Sequence, residues 1–537
     1  MRRLVSQEDS AMVPGANVPR SRFVNKYARK QTQDAGFLVP FLCEEVLPGD
    51  FIRYEAVIAA RMATPRFPLM DNLRMDTFFF FVPNRLVWDE WKRFMGEQNV
   101  PSQSIDVPIP LLNITIGAYT TPGPNFDSPG LLANYLGLPC PHLPGGSYDV
   151  LALPFRAYEL IYYEWFRDQN LNTTGRPTSG ANGVDSLASY VLRRRNKSHD
   201  YFTSALPFPQ KFSSPSIPLT GRAPVIGLAI TNAGNNTTPN VQVLNTLGQV
   251  ENWGAASGST NNQFWINRTT SWSPSDPGVF ADLSSSLANI SINALRQSMQ
   301  IQALLERDAM GGTRYTEIVR SHFGVISPDA RQQRPEYIGG GSQAVEITPV
   351  ANTQATGLGN LGAAATSFGQ HRASYASTEH GWIIGICNIK AELTYSEAMH
   401  KQWLRRTRYD FYWPSLAELG EQAIVQREIV QGPPAQANNV WGYQERWHEY
   451  RTMYNTTAGL FRTTLTGALV EWHLGQNFNF VVPPLAADFI AENPPMARVL
   501  AAGAGANQQQ FLVDIDITRD AVRPIPQFGN PARLGRF

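Results

Sequence analysis

Asp76-Thr77-Phe78-Phe79-Phe80-Phe81-Val82 is the stretch that decides the class of fold. It is short and aromatic, and Pro83-Asn84 stops it, so it reads as a strand buried in the core of a β-sandwich. Upstream, Phe51 to Met62 reads as a second strand, with Phe51, Tyr54, Val57 and Ile58 set among small residues. Gly36 to Leu42 is apolar and is followed by the turn signal Leu47-Pro48-Gly49-Asp50. Far downstream, Gly381 to Tyr395 is apolar and then alternating, Leu469 to Val482 has β character, and Phe511 to Thr518 alternates as FLVDIDIT. Strands near both ends, with helices and long connections between, predict a mainly β chain: one sandwich closed by distant segments.

Two helices interrupt this pattern. Tyr158, Ile161, Tyr162, Trp165 and Phe166 recur at helical spacing within Phe155 to Asp168. Ile292, Leu295, Met299, Leu304 and Leu305 form the apolar face of a helix over Ile292 to Met310, with Ser291 as N-cap and Gly311-Gly312 as its stop. Pro101 to Pro154, rich in proline and glycine, reads as long surface loops. Four segments follow. Residues 1–36 form a basic N-terminal arm without hydrophobic period; 37–212 hold the first part of the sandwich with its insertions. Residues 213–290 are a surface insertion, and 291–537 carry a helix, long loops and the second part of the sandwich. In the insertion only Arg222, Glu251, Arg268, Asp276 and Asp282 are charged, whereas Trp253, Phe264, Trp265 and Trp272 are aromatic. A bare linker does not carry tryptophans at this density, so we read an ordered, displayed element.

Composition narrows the function. The chain has 537 residues, with 45 Lys plus Arg against 44 Asp plus Glu, a formal charge of +1. That balance excludes a uniformly basic nucleic-acid-coating protein. Charged residues make up 17%, below the roughly 25% of ordinary soluble domains, which points to surfaces buried against partners. Cys43, Cys140 and Cys387 lie far apart and suggest no disulfide framework. The start MRRLVSQEDS has no apolar h-region, so no signal peptide is expected, and no apolar run approaches a membrane span.

Catalytic signatures are missing. The eight histidines form no HExxH, and neither a GxSxG elbow nor a phosphate loop occurs. Gly357, Gly359 and Gly362 match GxGxxG, but no hydrophobic strand precedes them. Nothing sets the carboxylates of Glu44-Glu45 apart for acid–base work. We expect no enzyme and no cofactor; a divalent ion between subunits is left open.

Two basic–aromatic clusters remain. Arg193-Arg194-Arg195 with Lys197 precedes Tyr201-Phe202, and His400 to Tyr409 (HKQWLRRTRY) interleaves basic residues with Trp403 and Tyr409. Cations neutralise phosphates while rings stack unpaired bases, which suits single-stranded nucleic acid. The same composition marks subunit interfaces, and the residues leave both readings open.

Longer blocks carry a resemblance. Val46-Leu47-Pro48-Gly49-Asp50, Arg61-Met62-Ala63-Thr64-Pro65, Pro68-Leu69-Met70-Asp71-Asn72 and Phe79-Phe80-Phe81-Val82-Pro83-Asn84-Arg85-Leu86-Val87-Trp88 form one series. Leu153 to Tyr158, Phe166 to Asn170, Leu304 to Asp308, Gly312 to Glu317, His322 to Val325 and Gln333 to Gly340 continue it. The chain resembles the major capsid proteins of microviruses, small single-stranded DNA phages, and within them the gokushovirus branch.

The resemblance implies an eight-stranded viral jelly-roll β-sandwich with large loop insertions containing a few helices. It implies self-assembly into a T=1 icosahedral shell around circular single-stranded DNA, with other virion or scaffolding proteins as partners. The protein then resides in the virion and assembles in the bacterial host cytoplasm. The insertion 213–290 then builds three-fold protrusions toward a host receptor of glycan or protein type, and the family implies no catalytic residues. On this reading Arg2, Arg3, Arg20, Arg22, Lys26, Arg29 and Lys30 of the arm face the DNA, as do Arg405, Arg406 and Arg408. Trp253, Phe264, Trp265 and Trp272 are the protrusion and receptor candidates. The competing readings are a carbohydrate-binding lectin or tail-fibre-like β protein, and a glycan-cleaving enzyme on a β-sandwich.

Overall fold

The computed structural model describes residues 18–100, 102–115, 131–139, 147–172, 175, 180–215, 221–224, 242–244, 250–252, 280–283, 292–326, 333–351, 361–431, 438–501 and 510–528. The chain divides into two compact units, residues 1–211 with 306–537, and residues 212–305.

The first unit is built on eight strands: β1 (Ser21–Gln33), β2 (Val39–Val46), β3 (Phe51–Met62), β4 (Leu73–Pro83), β5 (Glu336–Ala351), β6 (Leu361–Ala376), β7 (Gly381–Ala391) and β8 (Phe511–Arg523). They form one near-closed antiparallel sheet in the order β1-β8-β3-β6-β5-β4-β7-β2. Strands pair from the outside of the chain inward, β1 with β8, β2 with β7, β3 with β6 and β4 with β5. The pairs then join through β8·β3, β6·β5 and β4·β7. A long antiparallel ribbon wrapped on itself in this way is a jelly roll, as the resemblance implied.

Burial explains the phenylalanine run. On β4, Phe79 and Phe81 point into the sandwich core, while Phe80 and Val82 point into a second core on the opposite face. Both faces of β4 are therefore apolar, and the run loses the alternation of a half-exposed strand. Strands β4, β7 and β2 are the ones so covered, whereas β5 exposes Ser342, Ala344 and Glu346. Helix α1 (Leu153–Ile161), with Pro154 in its first turn, lays Phe155, Tyr158 and Ile161 over the covered strands. The β1-β8-β3-β6 half is covered on one face only. Phe511, Val513, Ile515 and Ile517 of β8 point inward, while Leu512, Asp514 and Asp516 are exposed.

Several expectations change. The arm does not run as a separate segment to residue 36, because Ser21–Gln33 is strand β1, paired along its whole length with β8. Its period stayed hidden because Arg22, Val24, Lys26, Ala28, Lys30 and Thr32 form one exposed face and the other carries Gln31 and Gln33. Within Pro101 to Pro154, Leu111–Thr115, Ser147–Leu151 and a helix at Leu131–Leu136 are ordered, and Leu112, Ile114 and Leu132 are fully buried. Leu469 to Val482 forms no strand; it holds a 3-10 turn at Val470–Trp472 and irregular chain that buries His473 and Leu474. The first expected helix stops at Ile161 and continues as a π-type turn, Tyr162–Phe166.

Helix α2 spans Ile292–Met310 as expected, and Ser291 lies outside the described residues. Gly312 adopts φ +101 after it, and Tyr315–Phe323 forms helix α3. In the second unit Gly221–Pro224 pairs with Phe280–Leu283, and Gln242–Leu244 with Val250–Asn252.

Candidate nucleic-acid interface

The segment after β7 carries the second basic–aromatic cluster. It folds as three 3-10 turns, Lys401–Leu404, Arg408–Asp410 and Pro414–Leu416. His400 Nδ1 accepts from Gln402 N–H at 3.2 Å and caps the first. Asp410 Oδ2 accepts from the N–H groups of Thr407 and Arg406 at 2.7 and 2.8 Å, and those bonds hold its carboxyl below the ordinary value. Short turns of this kind leave side chains no helix or sheet face to pack on, so rings and guanidinium groups fan outward. Trp403 is 73% exposed, and Tyr409, Phe411, Tyr412 and Trp413 are exposed too.

The platform rests on a buried polar base. Lys401 Nζ donates to Ala423 O at 2.7 Å and pairs with Glu428 at 3.4 Å. Glu428 is wholly buried and accepts from Tyr201 Oη at 2.7 Å; burial pushes its carboxyl up despite the lysine. Arg405 pairs with Glu449 at 3.4 Å and lies 4.7 Å over the Tyr450 ring. Glu449 also accepts from Gln422 Nε2 at 2.6 Å. Arg408 stands 5.4 Å over Trp413 and 5.5 Å over Tyr409, and Arg446 stands 4.4 Å over Trp447. Between these groups lies a cavity of about 300 Å³ whose wall carries Lys401, Arg405, Arg406, Arg427 and Arg446 against Asp410, Glu428 and Glu449.

The three arginines therefore separate. Arg405 is tied into the base. Arg406 and Arg408 are exposed on the surface among exposed rings, the arrangement that grips phosphate while bases stack. The rings Phe411, Tyr412 and Trp413, together with Arg446, join the same surface and were not singled out from the sequence. Their signal was present as the run Tyr409-Asp410-Phe411-Tyr412-Trp413 directly behind the basic residues.

The N-terminal candidates are placed differently. Arg20, Arg22, Lys26 and Lys30 are exposed, but β1 runs beside the aspartates of β8. Arg22 makes a two-pronged pair with Asp520 at 2.7 and 2.8 Å, and Lys30 stands opposite Asp514. Arg29 is turned into the protein, donating to Phe41 O at 3.2 Å and to Tyr135 O; burial lowers its pKa. Arg2 and Arg3 lie outside the described residues, as do Trp253, Phe264, Trp265 and Trp272 of the insertion.

The cluster Arg193-Arg194-Arg195 with Lys197 is consumed inside the fold. Arg193 pairs with Glu159 at 3.0 Å and Arg195 with Asp76 at 2.6 Å. Arg194 lies 4.0 Å over the Phe37 ring, and the buried Lys197 lies 4.8 Å over Phe489. Among the described residues no group of three or more His, Cys, Asp or Glu is placed to hold a metal ion, and no helix is long and apolar enough to cross a membrane.

Comparison with known proteins decides the family. The capsid protein (F protein) family model matches residues 11–533. The chain belongs to the F protein family of phage capsid proteins. It is 39% identical to capsid protein VP1 of Bdellovibrio phage phiMH2K over 99% of both chains. It is 36% identical to capsid protein VP1 of Chlamydia phage 1 over 97% of this chain and 96% of that one. Capsid protein VP1 of Spiroplasma virus 4 shares 32% identity over 97% of each. The microvirus resemblance read from the sequence blocks is thereby shown, and the chain is a major capsid protein of microvirus type, a structural component of the virion. The family also gives the fold its purpose: a capsid protein meets other copies of itself, so large exposed rings are surfaces for partners.

Proposed function

We propose that this capsid protein assembles into a T=1 icosahedral shell that encloses a circular single-stranded DNA genome, and that the segment Trp403 to Trp413 is a DNA-holding part of its inner surface. The observation that carries the reading is Arg408 standing over the exposed rings of Tyr409 and Trp413, with Arg406 and Trp403 exposed on the same segment. Rings stack unpaired bases of any sequence and cations neutralise the strand's phosphates, which is the chemistry a shell around single-stranded DNA uses. Arg20, Lys26 and Lys30 are secondary contacts to the same strand, since neighbouring aspartates on β8 offset much of their charge. The insertion 213–290 serves host attachment through a three-fold protrusion, with Trp253, Phe264, Trp265 and Trp272 as anchors to a glycan or protein receptor. Other virion or scaffolding proteins assist assembly in the host cytoplasm.

The test is assembly of the full chain with circular single-stranded DNA, followed by nuclease treatment and sedimentation. Arg406→Ala with Arg408→Ala is expected to yield shells of normal size whose retained DNA falls, more steeply as salt rises. Normal DNA retention with defective shells assigns the same surface to contacts between subunits instead.

A further inference from the structure

Strands β5 and β6 outrun the sheet they belong to. β5 pairs with β4 only as far as Val345, and β6 begins to pair with β3 only at Thr366. Residues 347–351 and 361–365 pair with each other alone, as a two-stranded ribbon beyond the end of that pairing. One of its faces buries Ala363 and Ala365, but every residue from 348 to 351 is exposed. The sequence from 347 to 370 holds no Asp, Glu, Lys or Arg, so the charges that ordinarily guard an exposed strand are missing. A bare two-stranded ribbon is marginal in water and gains from a third surface laid against it. The exposed face continues onto the sheet. Ala364, Thr366 and Phe368 follow one another along it, and Phe368, 74% exposed, stands beside the exposed Ala59 of β3. In the next row Leu512 of β8, Arg61 of β3, Thr366 of β6 and Glu346 of β5 stand side by side, all exposed. Arg61 and Glu346 are two strand spacings apart, about 10 Å at the backbone, and neither makes an ion pair among the described residues.

We propose that this face is a two-fold contact between two copies of the chain. Phe368 and the ribbon of one copy lie against those of the other, and Arg61 of one copy meets Glu346 of the partner subunit. The charges select a second copy. A patch that offers one free cation and one free carboxylate on either side of an apolar centre complements itself when turned about a two-fold axis, where each charge meets its opposite twice. An apolar centre with a charged rim is the ordinary make-up of such contacts. Single-stranded DNA fits poorly, because the ribbon has no cation to offer a phosphate. Lys30, on β1, stands three strands from Phe368 and outside the patch. The inference rests on self-assembly of the capsid protein, and neither on the T=1 geometry nor on the enclosed DNA.

Sedimentation of the full chain, without DNA and then with it, tests the contact. Phe368→Asp should weaken self-association about ten-fold or more, as loss of a central aromatic anchor does, and leave the urea midpoint of the dissociated chain unchanged. Arg61→Glu and Glu346→Arg should each weaken it, and the two together should restore it, because the pair is then exchanged and not lost. Unchanged association in Phe368→Asp overturns the contact, and a double variant as weak as either single one overturns the two-fold pairing. Should Phe368→Asp disturb folding, amide exchange on the natural chain decides. Residues 346–351 and 361–366 should exchange about ten-fold more slowly in the assembled chain than in the dissociated one, and equal rates overturn the proposal. Normal shells of Phe368→Asp that lose DNA would assign the face to nucleic acid and overturn it as well. Open oligomers that Phe368→Asp weakens would keep the contact and overturn the closed shell; a natural chain that stays monomeric overturns both.

Discussion

Arg29 on β1 donates to the main-chain oxygen of Phe41 on β2 at 3.2 Å, joining the two strands that form the opposite edges of the eight-stranded sheet. The same guanidinium reaches Tyr135 O on the helix Leu131–Leu136. A residue expected to touch DNA is thus a clasp across the seam of the jelly roll. Arg29→Ala should lower unfolding free energy by about 1.5–3 kcal/mol, the range for hydrogen bonds to a charged group, measured by urea unfolding of the dissociated chain. Lys26→Ala and Lys30→Ala, at exposed positions of the same strand, should stay within about 0.5 kcal/mol. Equal effects at all three positions would remove the clasp.

Arg156 is fully engaged. It makes two bonds to Asp185 at 2.8 Å, one to Val87 O at 3.1 Å and one to Ala181 O at 2.9 Å, at 1% exposure. Arg156→Met strands the nearly buried Asp185 carboxylate, so a loss of about 3–5 kcal/mol is expected. A calorimetric midpoint close to that of the natural chain would contradict this.

Gly340 and Gly341 mark a close approach of strands. A Cβ on Gly340 would stand 2.1 Å from Thr77 O, and one on Gly341 would stand 2.4 Å from the His371 ring. Gly340→Ala must therefore shift β5 away from β4 and should destabilise by about 1–3 kcal/mol. The measurement is the same urea midpoint, and an unchanged value would show that the strands part freely.

Acid should weaken the fold through histidines that burial disfavours from charging. His371 is 6% exposed with Nδ1 2.5 Å from Thr77 Oγ1, and burial holds its pKa below the ordinary 6.5 although Asp76 partly offsets this. Burial does the same for His448 and His473. A depressed folded pKa means that the unfolded chain binds protons first. The contribution is complete above about pH 6.5 and is lost as pH falls through the folded values. Glu428 and Glu492, whose carboxyls burial pushes up, act in the opposite sense. The readout is accordingly a difference: between about pH 7.5 and about pH 5.5, His371→Asn should lose less stability than the natural chain. Parallel pH curves would rule His371 out.

Removing residues 213–290 behind a short Gly/Ser bridge tests the attachment role of the insertion. Expected are shells of normal sedimentation that no longer bind host cells. Infectious shells would refute the receptor role, and failure to assemble would place the segment in the shell's structural frame.

How much was legible in the residues differs from site to site. In the interface, the basic and aromatic character of His400 to Tyr409 was readable, but the division of labour among its arginines was not. Arg405 and Arg406 are neighbours of identical chemistry. Only the position of Glu449, forty-four residues beyond Arg405, makes the first structural and leaves the second exposed. The triplet Arg193-Arg194-Arg195 looked equally free, yet its acidic partners Glu159 and Asp76 come from distant elements.

Strand β3 was read to its exact ends, Phe51–Met62, and Gly381 and Phe511 were placed as the starts of β7 and β8. Apolar residues there either alternate or run unbroken, a pattern that burial on one face or two imposes directly on a sequence. The blocks Leu153 to Tyr158 and Phe79 to Trp88 were likewise enough to reach the capsid family, since Arg156, Phe79 and Phe80 are held by packing that few substitutes satisfy. Strands β1, β5 and β6 were not seen, because nothing local specifies them. Their residues are largely polar or small, and their backbone groups are satisfied by partners as remote as Arg523 from Ser21. Hydrophobic period is a property of a segment and can be read from the segment; pairing across the chain, and the ion pairs that pairing brings within reach, exist only once the ribbon has wrapped.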